Sequence, residues 1–201
     1  MNAKQNVGNN GRYSLRKSRS RDRKSTRLRN YSYSQAGYYF VTICTQNRVN
    51  YFGEIDTDRT KLSGIGQIAM DCWCAIPEHF DNAGLDEFVV MPNHIHGIIV
   101  IKQKPFMKTA DQNVGNSDRF ALPRPRNMEL LSKIISQYKS SVTRILRKQS
   151  IDPPFHWQSS FYDRVIRDDE SLDNIRTYMR NNPLNWASDE ENPANHTMHP
   201  R

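Results

Sequence analysis

The chain has 201 residues, 36% of them hydrophobic and 25% charged, with a formal net charge of +8. That length and content fit one globular domain with polar extensions, and no apolar run reaches the length of a membrane span. Three cysteines (Cys44, Cys72, Cys74) without zinc-type Cys-x-x-Cys spacing fit a reduced cytosolic protein better than a disulfide framework, and the amino terminus lacks the apolar core of a signal peptide, so a soluble cytoplasmic protein is expected.

The charge is concentrated near the amino terminus. Nine basic residues (Arg12, Arg16, Lys17, Arg19, Arg21, Arg23, Lys24, Arg27 and Arg29) face one acid, Asp22, which accounts for the whole net charge. A Ser/Arg/Lys segment of this kind buries too little apolar surface to fold alone. Residues 1–30 are therefore read as a disordered tail that binds phosphate backbone. A membrane surface would require an apolar helix face, and none accompanies these charges.

Residues 38–45 carry the aromatic and β-branched content of a first strand. Residues 62–76 place apolar side chains at three-and-four spacing, which predicts a helix ended by Pro77. A second strand over 85–91 turns at Pro92-Asn93 into the run His94-Ile95-His96-Gly97-Ile98-Ile99-Val100-Ile101. The latter reads as a buried central strand. Side chains alternate along a strand, so His94 and His96 share a face with Cα atoms about 6.5 Å apart. That spacing lets two imidazoles share one cation, and it equally suits polar punctuation before a core strand.

Residues 102–126 have no period and read as a long surface loop. Residues 128–147 form the clearest amphipathic helix, with Tyr138 inside its apolar stripe and Lys133, Lys139 and Arg144 off it. Those three cations make either a basic wall or a solvated face. A last strand is expected over 161–166, where Tyr162 would be packed. A final helix follows, started by the acidic run 168–170 and stopped before Pro183. Tyr178 and Asn182 lie one turn apart on the flank of its apolar stripe. Residues 187–201 read as a loose polar tail.

The order strand, helix, strand, strand, helix, strand predicts an α+β fold. It is the ferredoxin/RRM-like βαββαβ pattern: an antiparallel four-stranded sheet with two helices on one face and the first and third strands central. The extra carboxy-terminal helix is then free to carry Tyr178 to the opposite face, toward His94 and His96.

These motifs together resemble the HUH single-tyrosine transposases, and more narrowly the REP-associated tyrosine transposases. The residues that carry the likeness are Met91-Pro92-Asn93-His94-Ile95-His96 and Tyr178-Met179-Arg180-Asn181-Asn182-Pro183. Further matches are Ser34-Gln35-Ala36-Gly37 before the first strand, and Trp157-Gln158 with Tyr162-Asp163-Arg164-Val165-Ile166-Arg167. The likeness spans residues 27–186 in order and defines a domain over 31–186.

The resemblance implies a DNA transposase and single-strand endonuclease acting on hairpin DNA of the repetitive extragenic palindrome kind. It implies Tyr178 as nucleophile and His94 and His96 as ligands of Mg²⁺ or Mn²⁺. Asn182 stands where relatives place a third polar ligand, often glutamine, and it is one methylene shorter. Being next to Pro183, it could equally cap the helix. DNA contacts are expected from Arg16, Lys17, Arg19, Arg21, Arg23, Lys24, Arg27 and Arg29, and from Lys133, Lys139 and Arg144. The protein would work in the bacterial cytoplasm at the nucleoid, as a homodimer or a monomer. Two alternatives remain open: a DNA-binding protein of the same fold that has lost cleavage, and a metallohydrolase that activates water without a covalent step.

Overall fold

The computed structural model describes residues 32–103, 129–149, 151 and 154–196. The basic tail and most of the 102–126 loop lie outside them. Six strands and four helices are found among the described residues. Strand β1 (Gly37–Cys44) is hydrogen-bonded on one side to β5 (His94–Ile101) and on the other to β6 (Tyr162–Ile166), both antiparallel. Strand β4 (Ala83–Val90) pairs with the outer edge of β5, giving the order β4-β5-β1-β6. The histidine strand is thus central, and the Pro92-Asn93 turn joins it to β4.

Alternation along the strands sorts the side chains into two cores. Tyr39, Val41 and Ile43 of β1 and Ile95, Ile99 and Ile101 of β5 pack under helices α1 (Gly64–Cys74) and α3 (Leu130–Leu146). Phe40, Ile98 and Ile166 face the other way and meet Leu172, Ile175 and Met179 of α4 (Asp169–Asn181). The apolar stripe of α4 therefore has a docking face of its own. Asp168 caps that helix by accepting from Ser171 N–H at 2.7 Å.

Gly97 of β5 lies directly against Trp73 of α1. A Cβ there would collide with the Trp73 ring. Trp73 is fully buried and also meets Tyr138 edge-on at 5.4 Å. Gly97→Ala is expected to destabilise the fold by about 1–3 kcal/mol through overpacking, read as a lower denaturant midpoint at unchanged slope.

Two expectations change. The predicted 62–76 helix begins only at Gly64, because Leu62 ends a short hairpin of β2 (Gly53–Asp56) and β3 (Arg59–Leu62). Ser63 then caps α1 through Gly66 N–H at 3.0 Å, and Pro77 lies in the short following helix α2 (Ile76–His79). Residues 187–196 are also not a loose run. They form 3₁₀ turns over Trp186–Ser188 and Pro193–His196, folded back beside the histidine end of β5. That return is held by Asn93 Nδ2 donating to Glu191 O at 2.8 Å, and by the Arg48–Glu191 ion pair at 2.7 Å.

Candidate metal and nucleophile site

Each histidine of β5 is oriented by a neighbour. Thr42 stands opposite His96 in the β1–β5 register, and its Oγ1 lies 2.8 Å from His96 Nδ1. Asn93 Oδ1 lies 2.9 Å from His94 Nδ1. The Asn93 amide has only one fitting orientation, because its Nδ2 donates to Arg48 O and Glu191 O. A carbonyl oxygen only accepts, so His94 carries its proton on Nδ1 and turns the Nε2 lone pair inward. The two Nε2 atoms face each other at 3.0 Å. Outer partners that orient the ring, as Thr42 and Asn93 do, and that fix the tautomer, as Asn93 does for His94, are what imidazole metal ligands have.

Both rings are buried, and both are held neutral. Burial, with the nearby Arg48 charge, pushes His94 down to about 3, and burial moves His96 well below its usual value. An unfolded histidine titrates near 6.5. Between that pH and about 3, the unfolded chain binds protons that folded His94 refuses. Stability of the metal-free protein is thus full above pH 6.5 and is lost as pH falls through that window. A series of thermal melts from pH 7 to pH 4 is expected to show the decline, with a shallower slope for His94→Asn.

The third corner comes from the returning segment. One carboxylate oxygen of Asp189 and one nitrogen each of His94 and His96 lie within 4.8 Å of one another. Asp189 is held by Glu191 N–H, which donates to Oδ1 at 2.6 Å, and by Asn182 Nδ2, which donates to Oδ2 at 3.2 Å. Asn182 itself is buried at the end of α4, and its Oδ1 has no hydrogen-bond partner. An orphaned buried carbonyl oxygen beside two imidazoles and a carboxylate is a donor set that suits a hard divalent cation. These residues fit such an ion. Sequence reasoning proposed Asn182 and missed Asp189, whose only local signal is the acidic run 189–191.

Tyr178 reaches the same place from α4. Its hydroxyl lies 3.3 Å from His96 Nε2, while 47% of the residue stays exposed. Phe40 stacks on the His96 ring at 5.3 Å and meets Tyr178 edge-on at 6.4 Å. Burial and the Asp189 carboxylate raise the phenol pKa, and the hydrogen bond to Asn182 opposes them. Tyr178 and His96 line a cavity of about 810 Å³, together with Tyr162 and Arg164 of β6. Tyr162 is not packed as expected. It pairs with Thr42 on the edge strand, on the histidine face, and is 49% exposed.

The remaining predicted residues are not gathered here. Arg16, Lys17, Arg19, Arg21, Arg23, Lys24, Arg27 and Arg29 lie outside the described residues. Lys133 and Arg144 are exposed on α3, across the sheet from the histidines. Lys139 is committed locally: its ammonium donates to Gln158 O and Ser160 O at 2.8 and 2.9 Å, and burial lowers it to about 8. Of the three, Lys139 is thus tied down by backbone carbonyls, while Lys133 and Arg144 stand on an exposed helix face.

No family model matches the chain. An uncharacterized protein of Haemophilus influenzae is 36% identical over 177 residues, covering 84% of this chain and 92% of that one. The two chains belong to one family. Among solved structures, a REP-associated tyrosine transposase bound to a REP hairpin superposes with a TM-score of 0.53. It is 15% identical, with 87% of this chain and 88% of that chain covered. The fold is that of a REP-associated tyrosine transposase. In this transposase fold the described residues include no helix long and apolar enough to cross a membrane.

Proposed function

We propose that the protein is a transposase that cleaves and rejoins single-stranded hairpin DNA through a 5′-phosphotyrosine intermediate. The observation that carries this reading is the Tyr178 hydroxyl 3.3 Å from His96 Nε2, both residues lining the 810 Å³ cavity. An exposed tyrosine beside two buried, neutral imidazoles supports the reading of a nucleophile beside metal ligands.

His94, His96 and Asp189, with the free Oδ1 of Asn182, would hold the divalent cation, which when bound offsets negative charge on the scissile phosphate and favours ionised phenol. Tyr178 loses its proton and its oxygen bonds to phosphorus, while the bond to the 3′ oxygen breaks and leaves a free 3′-hydroxyl. The phosphodiester energy stays in the protein–DNA bond, so attack by a 3′-hydroxyl rejoins the strand without ATP. Asn93 holds the His94 imidazole in the tautomer this requires, and Thr42 orients the His96 ring. Tyr162 and Arg164 border the cavity with a stacking surface and a cation, the pair of groups that single-stranded DNA uses.

The test is incubation with a hairpin oligonucleotide and Mn²⁺, followed by a search for a denaturation-resistant protein–DNA adduct. Binding without an adduct would favour a DNA-binding protein of this fold. The amino-terminal tail should add affinity with little sequence choice. Deletion of residues 1–30 is expected to flatten the slope of log affinity against log salt, by about 0.7–0.9 for each phosphate that the tail neutralises. An unchanged slope would contradict that role.

A further inference from the structure

The apolar seat of α4 does not by itself fix where Tyr178 points. Leu172, Ile175 and Met179 rest on Phe40, Ile98 and Ile166, and contact of this kind is non-directional. The roll of the helix over that stripe is left to the polar groups on its flanks. Tyr178 and Asn182 lie on one flank of the stripe, and Arg176 and Arg180 lie on the other, about 200° from Tyr178 around the axis at Arg176. What Arg176 and Arg180 hold therefore sets the roll.

Both arginines hold β4 where it departs from regular pairing. Leu85 is opposite Ile99 and Phe88 opposite Gly97, so Asp86 and Glu87 together face the single residue Ile98. In a regular strand two successive side chains point to opposite faces. This bulge instead lets both carboxylates reach α4. Asp86 receives Arg176 side-on, Nε to Oδ1 at 2.8 Å and Nη2 to Oδ2 at 2.7 Å. The third arm, Nη1, donates to Asp173 Oδ1 at 2.9 Å. Asp86 Oδ1 also accepts Glu87 N–H at 2.8 Å, so one carboxylate locks the bulge and grips the helix. Arg180 donates to Glu87 Oε2 from Nε at 3.0 Å and Nη2 at 2.6 Å.

We propose that Asp86 and Glu87 are positioning residues for the nucleophile: the bulge clamps Arg176 and Arg180, sets the roll of α4, and so holds the Tyr178 hydroxyl at the histidine pair. The Asp86–Arg176 grip is the dominant one, being bidentate and largely shielded, whereas the Glu87–Arg180 pair is more exposed. The leverage is large. A phenol oxygen stands roughly 9 Å from the helix axis, so a roll of about 10° moves it by ~1.5 Å. Misplacement on that scale costs about 100-fold in rate.

The inference rests on the strand-cleaving reading, and its test separates the two. Asp86→Asn, Arg176→Gln and the double variant would be compared with wild type in single-turnover adduct formation at saturating hairpin DNA. The rate is expected to fall about 10- to 100-fold in each single variant, and no further in the double, with hairpin affinity unchanged. Glu87→Gln, which releases only the outer pair, should show the same split to a smaller degree. A nuclear Overhauser signal between the Tyr178 and His96 rings, recorded without DNA or metal, should be present in wild type and absent from Asp86→Asn. That signal is readable even where wild type forms no adduct, an outcome that would remove the cleavage reading and the catalytic purpose of the clamp together while leaving its geometry intact. Retention of the ring signal, an unchanged rate in active protein, or losses that simply add in the double variant would each overturn the proposal.

Discussion

Tyr178→Phe is expected to eliminate the covalent protein–DNA adduct and to lower strand cleavage by about 10⁴-fold or more, the scale on which loss of a nucleophile acts. The ring stays, so its edge contacts with Phe40 and His96 stay too. Because Tyr178 is half-exposed, stability should move by no more than about 0.5 kcal/mol. Hairpin affinity should hold for the same reason. The measurement is a denaturing gel of labelled hairpin with Mn²⁺, beside a binding titration. Cleavage that persists with no DNA left on the protein would mean that water is the nucleophile. An adduct that persists would point to Tyr162, the other exposed tyrosine lining the cavity, so Tyr162→Phe belongs in the same series.

The second large effect concerns Asp189. Its carboxylate is the charged member of the candidate ligand group, and charge dominates affinity for a hard divalent cation. Asp189→Asn is expected to weaken Mn²⁺ binding by about 100-fold or more, measured by calorimetric titration. Asn182→Ala separates two roles of its side chain. If Oδ1 is a ligand, the loss should approach that of Asp189→Asn. If the amide only steadies Asp189 through Nδ2, the loss should stay near tenfold. The Asp189 variant also has a metal-free signature. Asp189 is one of the groups raising the Tyr178 pKa, so Asp189→Asn should lower it, as followed by phenolate absorbance against pH. A rise instead would show that Asp189 does not act on the phenol as its position implies.

Much of the frame was legible because its signals are local. The run 38–45 and the histidine run read as strands because branched and aromatic residues fill them, and both are central in the sheet. The apolar stripe of α3 was visible at helical period, and Tyr138 fell within it as a buried residue. The short β2–β3 hairpin was not visible, because Gly53–Asp56 and Arg59–Leu62 are brief, polar and half-exposed. Tyr162 was misread as packed. A strand pattern says which residues share a face but not which face is left uncovered, and β6 lies at the edge.

The bulge at Asp86 and Glu87 was hidden for a related reason. Nothing in Leu85-Asp86-Glu87-Phe88 marks an extra residue until the register with β5 is known. Lys139 looked like a cation of a basic wall or of a solvated helix face, and the carbonyls of Gln158 and Ser160 claim it.

What the sequence determined by itself is the pairing of His94 with His96, because a two-residue repeat in an extended strand leaves them no other arrangement. It also determined that Tyr178 and Asn182 travel together, one helical turn apart. The meeting of these two pairs, and the arrival of Asp189 between them, was decided only by the tertiary structure. Asn93 reaches Glu191 across 98 positions and Arg48 reaches it across 143, folding a polar, Pro-containing stretch back onto the histidines. No periodicity encodes such contacts. They exist because the buried Asn93 amide there needs acceptors, and the returning chain supplies one of them.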